Sequence, residues 1–403
     1  MLTFEQSRSK VIEQVKKMRG SRETTSVDVW DALGMVLAQE VKTDREYPPF
    51  NRSTRDGFAV RSKEVAPGTQ LKCIGEIKAG DTITEALAAG TCVQIMTGAA
   101  VPAGADAVVM IEHTQRDGDL VRFERGAKAG QNIVPRGSEA QARQVILLPG
   151  MRLGFAELAL AAQVGVVQLQ CSKRPHVAIL STGDEVVPIE QQPGEFQIRN
   201  SNSVSLAAQV RIAGGEPVVL GNAADRAEDL GKKIELGLRE DILVLSGGVS
   251  MGKYDLVESA LKAFGAEFFF DAVAIRPGKP AVFAICRGKP VFGLPGNPVS
   301  TMVTFELFVA PAIDLLSGAE ARPLALVEAR LGEALDERPG LTHFLPARIE
   351  WSGAAPEVKA LKWQGSGDIA ALANANCFLV VPADRAKIAA GEAVSVLLRK
   401  DVA

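Results

Sequence analysis

The sequence predicts a multidomain α/β plus β protein built on a central doubly wound α/β domain with a mostly parallel sheet. Three observations predict it. The 403 residues exceed one ordinary core, and such a length suggests about two to four domains. From His176 onward, short wholly apolar runs alternate with helical stretches, the pattern of a parallel sheet covered on both faces. Between Tyr47-Pro48-Pro49 and Pro135, and again from residue 320, the texture is instead short β-like runs broken by Gly, Pro and Asp turns.

Taken in order, Thr3-Phe4-Glu5-Gln6 reads as a capping box that opens a helix through Met18. A second helix is expected from Ser26 to Leu37. Leu71–Ile77, Cys92–Met96 and Ala107–His113 read as strands of a small β-rich domain. Residues 138–173 return to the first domain with a helix from Gly154 to Val164. In the α/β unit, strands are expected at Val177–Leu180, Pro217–Leu220 and Asp241–Leu245, with a hairpin of Ala281–Ile285 and Lys289–Phe292. The helices between and after them are Asn200–Gly214, Arg226–Leu238, Leu256–Phe264 and Val299–Leu316. Asn200, Ser201 or Asn202 caps the first of these, and Gly214-Gly215 closes it. Leu324–Leu331, Phe344–Trp351, Cys377–Val381 and Ala393–Leu398 make a last small β domain. The division is therefore 1–46 with 138–173 as a discontinuous N-terminal helical linker domain, 47–137 as the β-rich domain, 174–319 as the α/β domain and 320–403 as the C-terminal domain.

Composition narrows the function. A hydrophobic fraction of 47% and a charged fraction of 23% are those of a globular protein. A net charge of −3 argues against a globally basic nucleic-acid binder. No apolar run approaches the roughly 18 residues of a membrane helix, and the N-terminus lacks a basic region followed by an apolar one. The five cysteines are scattered without a CxxC, as reduced structural thiols would be, so a cytoplasmic protein is expected. With only three histidines, zinc, iron–sulfur and His-based nucleophilic chemistry are poorly supported. A metal would need carboxylate ligands, which points to a hard cation such as Mg²⁺.

The chemistry gathers where strands of the α/β unit run out. Val177–Leu180 leads into Ser181-Thr182-Gly183-Asp184-Glu185, Ile242–Leu245 into Ser246-Gly247-Gly248-Val249-Ser250-Met251-Gly252, and Lys289–Phe292 into Gly293-Leu294-Pro295-Gly296-Asn297-Pro298. In open α/β sheets ligands bind outside the carboxyl ends of the strands, and glycines let backbone N–H groups approach an anion. One such loop is as readily structural; three at one sheet edge favour a site. There is no GxGxxG or GxxxxGK[ST] motif, so neither a standard dinucleotide site nor a P-loop is expected. Arg276-Pro277-Gly278-Lys279-Pro280 is either a solvated basic turn or, beside these loops, a phosphate or oxyanion site. Asp184, Glu185, Asp225 and Asp255 are the acidic candidates for Mg²⁺ on a phosphoanhydride substrate, although Asp225 and Asp255 could equally be helix N-caps. Upstream, Pro48–Val60 is an ordered loop carrying Asp56-Gly57, and Met96-Thr97-Gly98-Ala99 ends a short β run.

These blocks together resemble the signatures of the molybdopterin molybdenumtransferases, a family that includes a bacterial enzyme and the E domain of gephyrin. The matching blocks run from Pro49-Phe50 to Asp56-Gly57-Phe58-Ala59-Val60, then Ile95–Ala99, Ser181–Glu185, Ser246–Gly252, Pro277–Pro280 and Gly293–Ser300, covering nearly the whole chain in order. The resemblance implies four domains with a β-barrel-like C-terminal one, a homodimer with its site in a cleft between subunits, and Mg²⁺ as cofactor. It implies adenylated molybdopterin and molybdate as substrates, with cleavage of the adenylate and release of AMP coupled to metal insertion. A molybdopterin adenylyltransferase and acceptor molybdoenzymes are implied as partners, and neither nucleic acid nor membrane. By resemblance, Asp56, Thr97, Glu185, Asp225 and Asp255 act in catalysis, and so does Glu139, where the family has Asp. Asp184, Glu185, Asp225 and Asp255 would hold the metal. Ser246, Gly247, Gly248, Ser250, Gly252, Arg276, Lys279, Pro295, Gly296, Asn297, Pro298, Ser300 and Ser366 would bind substrate. The chain departs from the family in having Arg276 in place of Lys, and Arg143 in place of Gly. The rival readings are an adenylyltransferase and a non-catalytic scaffold. The Asp56 and Thr97 blocks, absent from the shorter adenylyltransferases, speak against the first; the joint presence of Asp184, Glu185, Asp225, Asp255 and Lys279 speaks against the second.

Overall fold

The computed structural model describes every residue except 19, 21–22, 82–84, 249–255, 352–354, 386 and 403. The α/β unit carries a six-stranded sheet in the spatial order Glu216–Ala223, His176–Thr182, Ile242–Ser246, Lys289–Leu294, Val282–Cys286, Glu267–Phe270. The first four strands are parallel, and Val282–Cys286 runs against both neighbours. From His176–Thr182 the chain steps outward to Glu216–Ala223, then crosses back to Ile242–Ser246 on the other side. The order of strands therefore reverses between His176–Thr182 and Ile242–Ser246, which makes their carboxyl ends the switch point where open sheets leave a crevice.

Alternation along the strands explains why both faces are covered. Val177 and Ile179 enter one apolar cluster with helices Ser201–Ala213 and Pro298–Leu316, together with Phe4, Val11 and Val15 of the first helix. Ala178 and Leu180 enter the other, with Leu230 and Ile234 of Ala227–Gly237 and Val257 and Leu261 of Leu256–Ala263. The ends of Ser201–Ala213 follow from chemistry: the Asn200 side chain accepts from Ser203 N, and Gly214 stops the helix at φ 95°.

Three expectations are corrected. Thr24–Asp28 is a strand paired antiparallel with Gln168–Ser172, where a helix from Ser26 to Leu37 was expected. Thr24, Thr25 and Val27 are β-branched and suit a pleated surface, and the partner strand lies far along the chain. The expected helix Val299–Leu316 is interrupted by a π turn at Phe305–Val309. Pro311 has no N–H, which leaves the Leu307 carbonyl without its helical donor; Arg8 Nη1 supplies one at 2.8 Å. Lastly, Pro298–Leu316 is a helix of 19 residues that is long and apolar enough to cross a membrane by length and composition. Ser300, Thr301, Glu306 and Asp314 break up its apolar run in sequence. Most of it is buried as a core helix of the α/β unit.

The β-rich region forms a six-stranded half-barrel sheet in the order Ala107–Met110, Gly57–Val60, Thr91–Ile95, Gln70–Ile77, Leu120–Phe123, Thr114–Asp117. The C-terminal region is a closed five-stranded barrel: Thr342–Glu350, Glu357–Ala360, Leu326–Leu331, Ala393–Leu398 and Cys377–Val381, which returns to the first. Ile275–Arg276 of the α/β unit joins it, parallel to Thr342–His343. Buried Asp314, 2% exposed, ties the α/β unit to the linker region: its carboxylate accepts from Arg152 Nη2 at 2.9 Å and Arg322 Nε at 2.9 Å.

Candidate active site

The switch point opens into a cavity of about 670 Å³. Its walls include the loops that follow the four parallel strands, among them Glu185, Asp225, Ser246, Gly247, Gly248 and Asn297, with Pro295, Gly296 and Pro298 beside them. Close packing of the loops demands glycine. A Cβ on Gly247 would stand 2.9 Å from the Thr182 carbonyl oxygen, and one on Gly248 would stand 2.8 Å from Thr182 Oγ1. Asn202 stitches the loops together, donating from Nδ2 to Ser246 Oγ at 2.8 Å and to the Gly296 carbonyl at 2.8 Å. Two buried polar atoms of residues lining the cavity, Thr182 Oγ1 and Asn202 Oδ1, have no hydrogen-bond partner. Buried polar groups are ordinarily satisfied, so orphans at a cavity wall are groups a ligand could engage.

The carboxylates collect at one side. Asp184 Oδ1 accepts from Asp225 N at 3.1 Å, and Asp184 itself is not in the cavity lining. The Asp225 carboxyl is pushed above its ordinary value, first by desolvation and then by the negative charges of Asp184 and Glu185. Asp225 is not a helix cap: the following helix begins after Arg226, and it is Asp229 that accepts from Ala224 N.

A second cavity of about 560 Å³ adjoins the first, sharing Pro280, Pro295, Asn297 and Gly367 with it. Its lining is basic and hydroxylic: Arg276, Lys279, Ser300 and Ser366. Asn297 Nδ2 donates to Ser366 Oγ at 2.8 Å, holding the barrel-side loop 365–367 against the α/β loop. The Lys279 side chain is exposed and has no ion pair among the described residues, whereas Arg276 lies 4.0 Å from Glu337.

Three expected residues lie elsewhere. Thr97 donates to Asp56 Oδ1 from its backbone N at 2.7 Å and from its hydroxyl at 2.8 Å, which holds the Asp56 carboxyl below its ordinary value. The contact exists because Gly57 is the register partner of Ile95 in the half-barrel sheet. Glu139 accepts from Arg52 Nη2 at 2.7 Å. None of Asp56, Thr97 and Glu139 lines either cavity of the same chain. Ser250, Gly252 and Asp255 fall outside the described residues. Sequence reasoning missed Asn202, treated only as a possible cap, and also Thr182, Trp363 and Gln364 as lining residues. Asn200 and Asn202, two amides at one helix start, were the available signal for Asn202.

A doubly wound α/β unit with adjoining acidic and basic cavities, in one chain with a half-barrel sheet and a closed barrel, defines a multidomain enzyme class. Three family descriptions match in chain order: MoeA N-terminal region (domain I and II) over residues 2–165, probable molybdopterin binding domain over 178–315, and MoeA C-terminal region (domain IV) over 328–398. A molybdopterin molybdenumtransferase of Staphylococcus epidermidis is 31% identical over 396 residues, covering 96% of this chain and 94% of that protein. One from Nostoc is 34% identical over 406 residues, covering 96% and 91%. The solved molybdopterin biosynthesis MoeA protein of Pyrococcus horikoshii OT3 superposes with a TM-score of 0.81 at 27% identity, covering 99% of this chain and 100% of that one. The chain belongs to the molybdopterin molybdenumtransferase family.

Proposed function

We propose that this chain inserts molybdenum from molybdate into adenylated molybdopterin, with Mg²⁺-dependent cleavage of the adenylate and release of AMP, the last step of molybdenum cofactor biosynthesis. It does so in the cytoplasm as a homodimer, with residues 1–46 and 138–173, 47–137, 174–319 and 320–403 as its four domains. Beyond family membership, one observation carries the reading: an acid-lined cavity and a base-lined cavity share a wall. A phosphoanhydride with its cation and a tetrahedral oxyanion ask for these two environments side by side.

The donor set fits Mg²⁺. Asp184, Glu185 and Asp225 offer hard oxygen ligands, and the Asp225 carboxyl, pushed up by desolvation and then by like charges, is one a cation draws back to its charged form. Among the described residues no three acidic, His or Cys groups are gathered to hold an ion. Asp255 is the fourth expected ligand. Held by these carboxylates, Mg²⁺ would supply positive charge to offset the negative charge that develops on cleavage.

The chain's own groups do the rest. Gly247 and Gly248 let the backbone approach an anion, and Thr182 Oγ1 and Asn202 Oδ1 have hydrogen-bonding capacity to spare. Lys279 supplies a compact charge for the oxyanion and Arg276 a planar one, with Ser300 and Ser366 as hydroxyl donors. Asp56 and Thr97, which line neither cavity of their own chain, serve the cleft of the second copy. Incubating the protein with adenylated molybdopterin and Mg²⁺ tests the reading. AMP release that requires molybdate or tungstate supports it; release at the same rate without an oxyanion refutes it.

A further inference from the structure

Arg276 and His343 are register partners where Ile275–Arg276 runs alongside Thr342–Glu350. His343 is buried, 1% exposed, and its Nδ1 has no partner in hydrogen-bond geometry. The polar atom against it is Glu337 Oε2, at 2.9 Å, and the same oxygen lies 4.0 Å from Arg276 Nη1. Glu337 and Arg276 line a small cavity of about 280 Å³ with Trp363 and Gln364. Arg276 also lines the basic cavity, whereas Glu337 does not. The guanidinium thus stands on the boundary between the two, with a carboxylate behind it and the basic cavity in front.

An arginine side chain is long and half exposed here, so it has rotamer freedom to lose on binding. Its planar fork must also be aimed, unlike the point charge of the family's usual Lys. We propose that Glu337, set against buried His343, is a positioning residue that aims Arg276 at the bound oxyanion. Because Glu337 faces the small cavity, its charge restrains the guanidinium without confronting the anion. This rests on the reading that the basic cavity takes molybdate.

Steady-state kinetics of Glu337→Gln, Arg276→Lys, Arg276→Ala and the Glu337→Gln/Arg276→Lys double variant test it. Glu337→Gln is expected to raise KM for molybdate about three- to tenfold, leaving kcat and KM for adenylated molybdopterin unchanged. In the Arg276→Lys background the same change should matter less than about twofold, because lysine needs no aiming. Equal effects in both backgrounds, or a joint change in kcat and both KM values with a lowered melting temperature, would overturn the positioning role. A raised molybdate KM in Arg276→Ala beside a wild-type one in Glu337→Gln refutes the positioning role alone. An unchanged molybdate KM in Arg276→Ala refutes the assignment of the basic cavity, and the inference with it.

Discussion

Gly247→Ala measures how much the meeting of two loops at the switch point depends on a missing side chain. Gly247 sits at φ +93°, and an alanine Cβ there would stand 2.9 Å from the Thr182 carbonyl oxygen and 3.0 Å from Thr182 Oγ1. Gly221, on a strand of the same sheet, has φ +81° and nothing within 4 Å of the same construction. Alanine in left-handed backbone costs about 1–2 kcal/mol at either place. A contact with a backbone oxygen cannot be relieved by turning a side chain, so Gly247→Ala adds roughly 1–3 kcal/mol of overpacking. The total is about 2–5 kcal/mol. Urea denaturation of both variants isolates the contact, with Gly221→Ala as the backbone-only reference and an unchanged m-value confirming two comparable transitions. Gly247→Ala should also raise KM for adenylated molybdopterin, because Gly247 lines the cavity and its N–H is held by the Leu294 carbonyl of the neighbouring strand. Equal destabilisation of the two variants would refute the argument that close approach of the loops requires glycine.

Asp314→Ala should cost about 3–5 kcal/mol in a thermal or urea melt, because it strands Arg152 and Arg322 without their common carboxylate; a loss below about 1 kcal/mol contradicts this. Thr97→Val removes the hydroxyl that helps hold the Asp56 carboxyl low. A depressed carboxyl keeps its favourable charged state above its ordinary range and loses it only as pH falls through the depressed value. The variant's acid limb in a pH–rate profile should therefore move to higher pH, and an unmoved limb would show that Asp56 ionisation does not matter to the rate. Lys279→Ala should weaken molybdate binding more than binding of the adenylate; equal losses by calorimetry count against its place on the oxyanion side.

Local signals were read well where the chain satisfies itself locally. The capping box at Thr3 and Gln6 makes both of its bonds, and Asn200 and Gly214 bound their helix as cap chemistry requires. Apolar runs in the α/β unit became sheet strands because burial on both faces leaves them no alternative. Errors fell where a distant partner decides. Thr24–Asp28 became a strand through pairing with Gln168–Ser172, and at the π turn Arg8 reaches the Leu307 carbonyl from the first helix. The short helix Ile369–Asn374 and strand Glu357–Ala360 went unpredicted, and both are stabilised by barrel contacts. At the site, the glycine loops and their carboxylates were legible because the strand-end rule gathers them at one edge. The second cavity was legible through Arg276, Lys279, Pro295, Asn297, Ser300 and Ser366, whereas Trp363 and Gln364 arrive there by barrel closure. The orphaned Thr182 hydroxyl is visible only once neighbouring loops are in place.

In the proposed reaction, cleavage of the adenylate and insertion of the metal are one coupled event at the joined cavities. The direct measurement is the ratio of metal-loaded molybdopterin formed to AMP released, followed together with Mg²⁺ and molybdate under single turnover. Coupling predicts equal amounts at every time point. AMP accumulating ahead of metal-loaded product, or without it, would contradict the account.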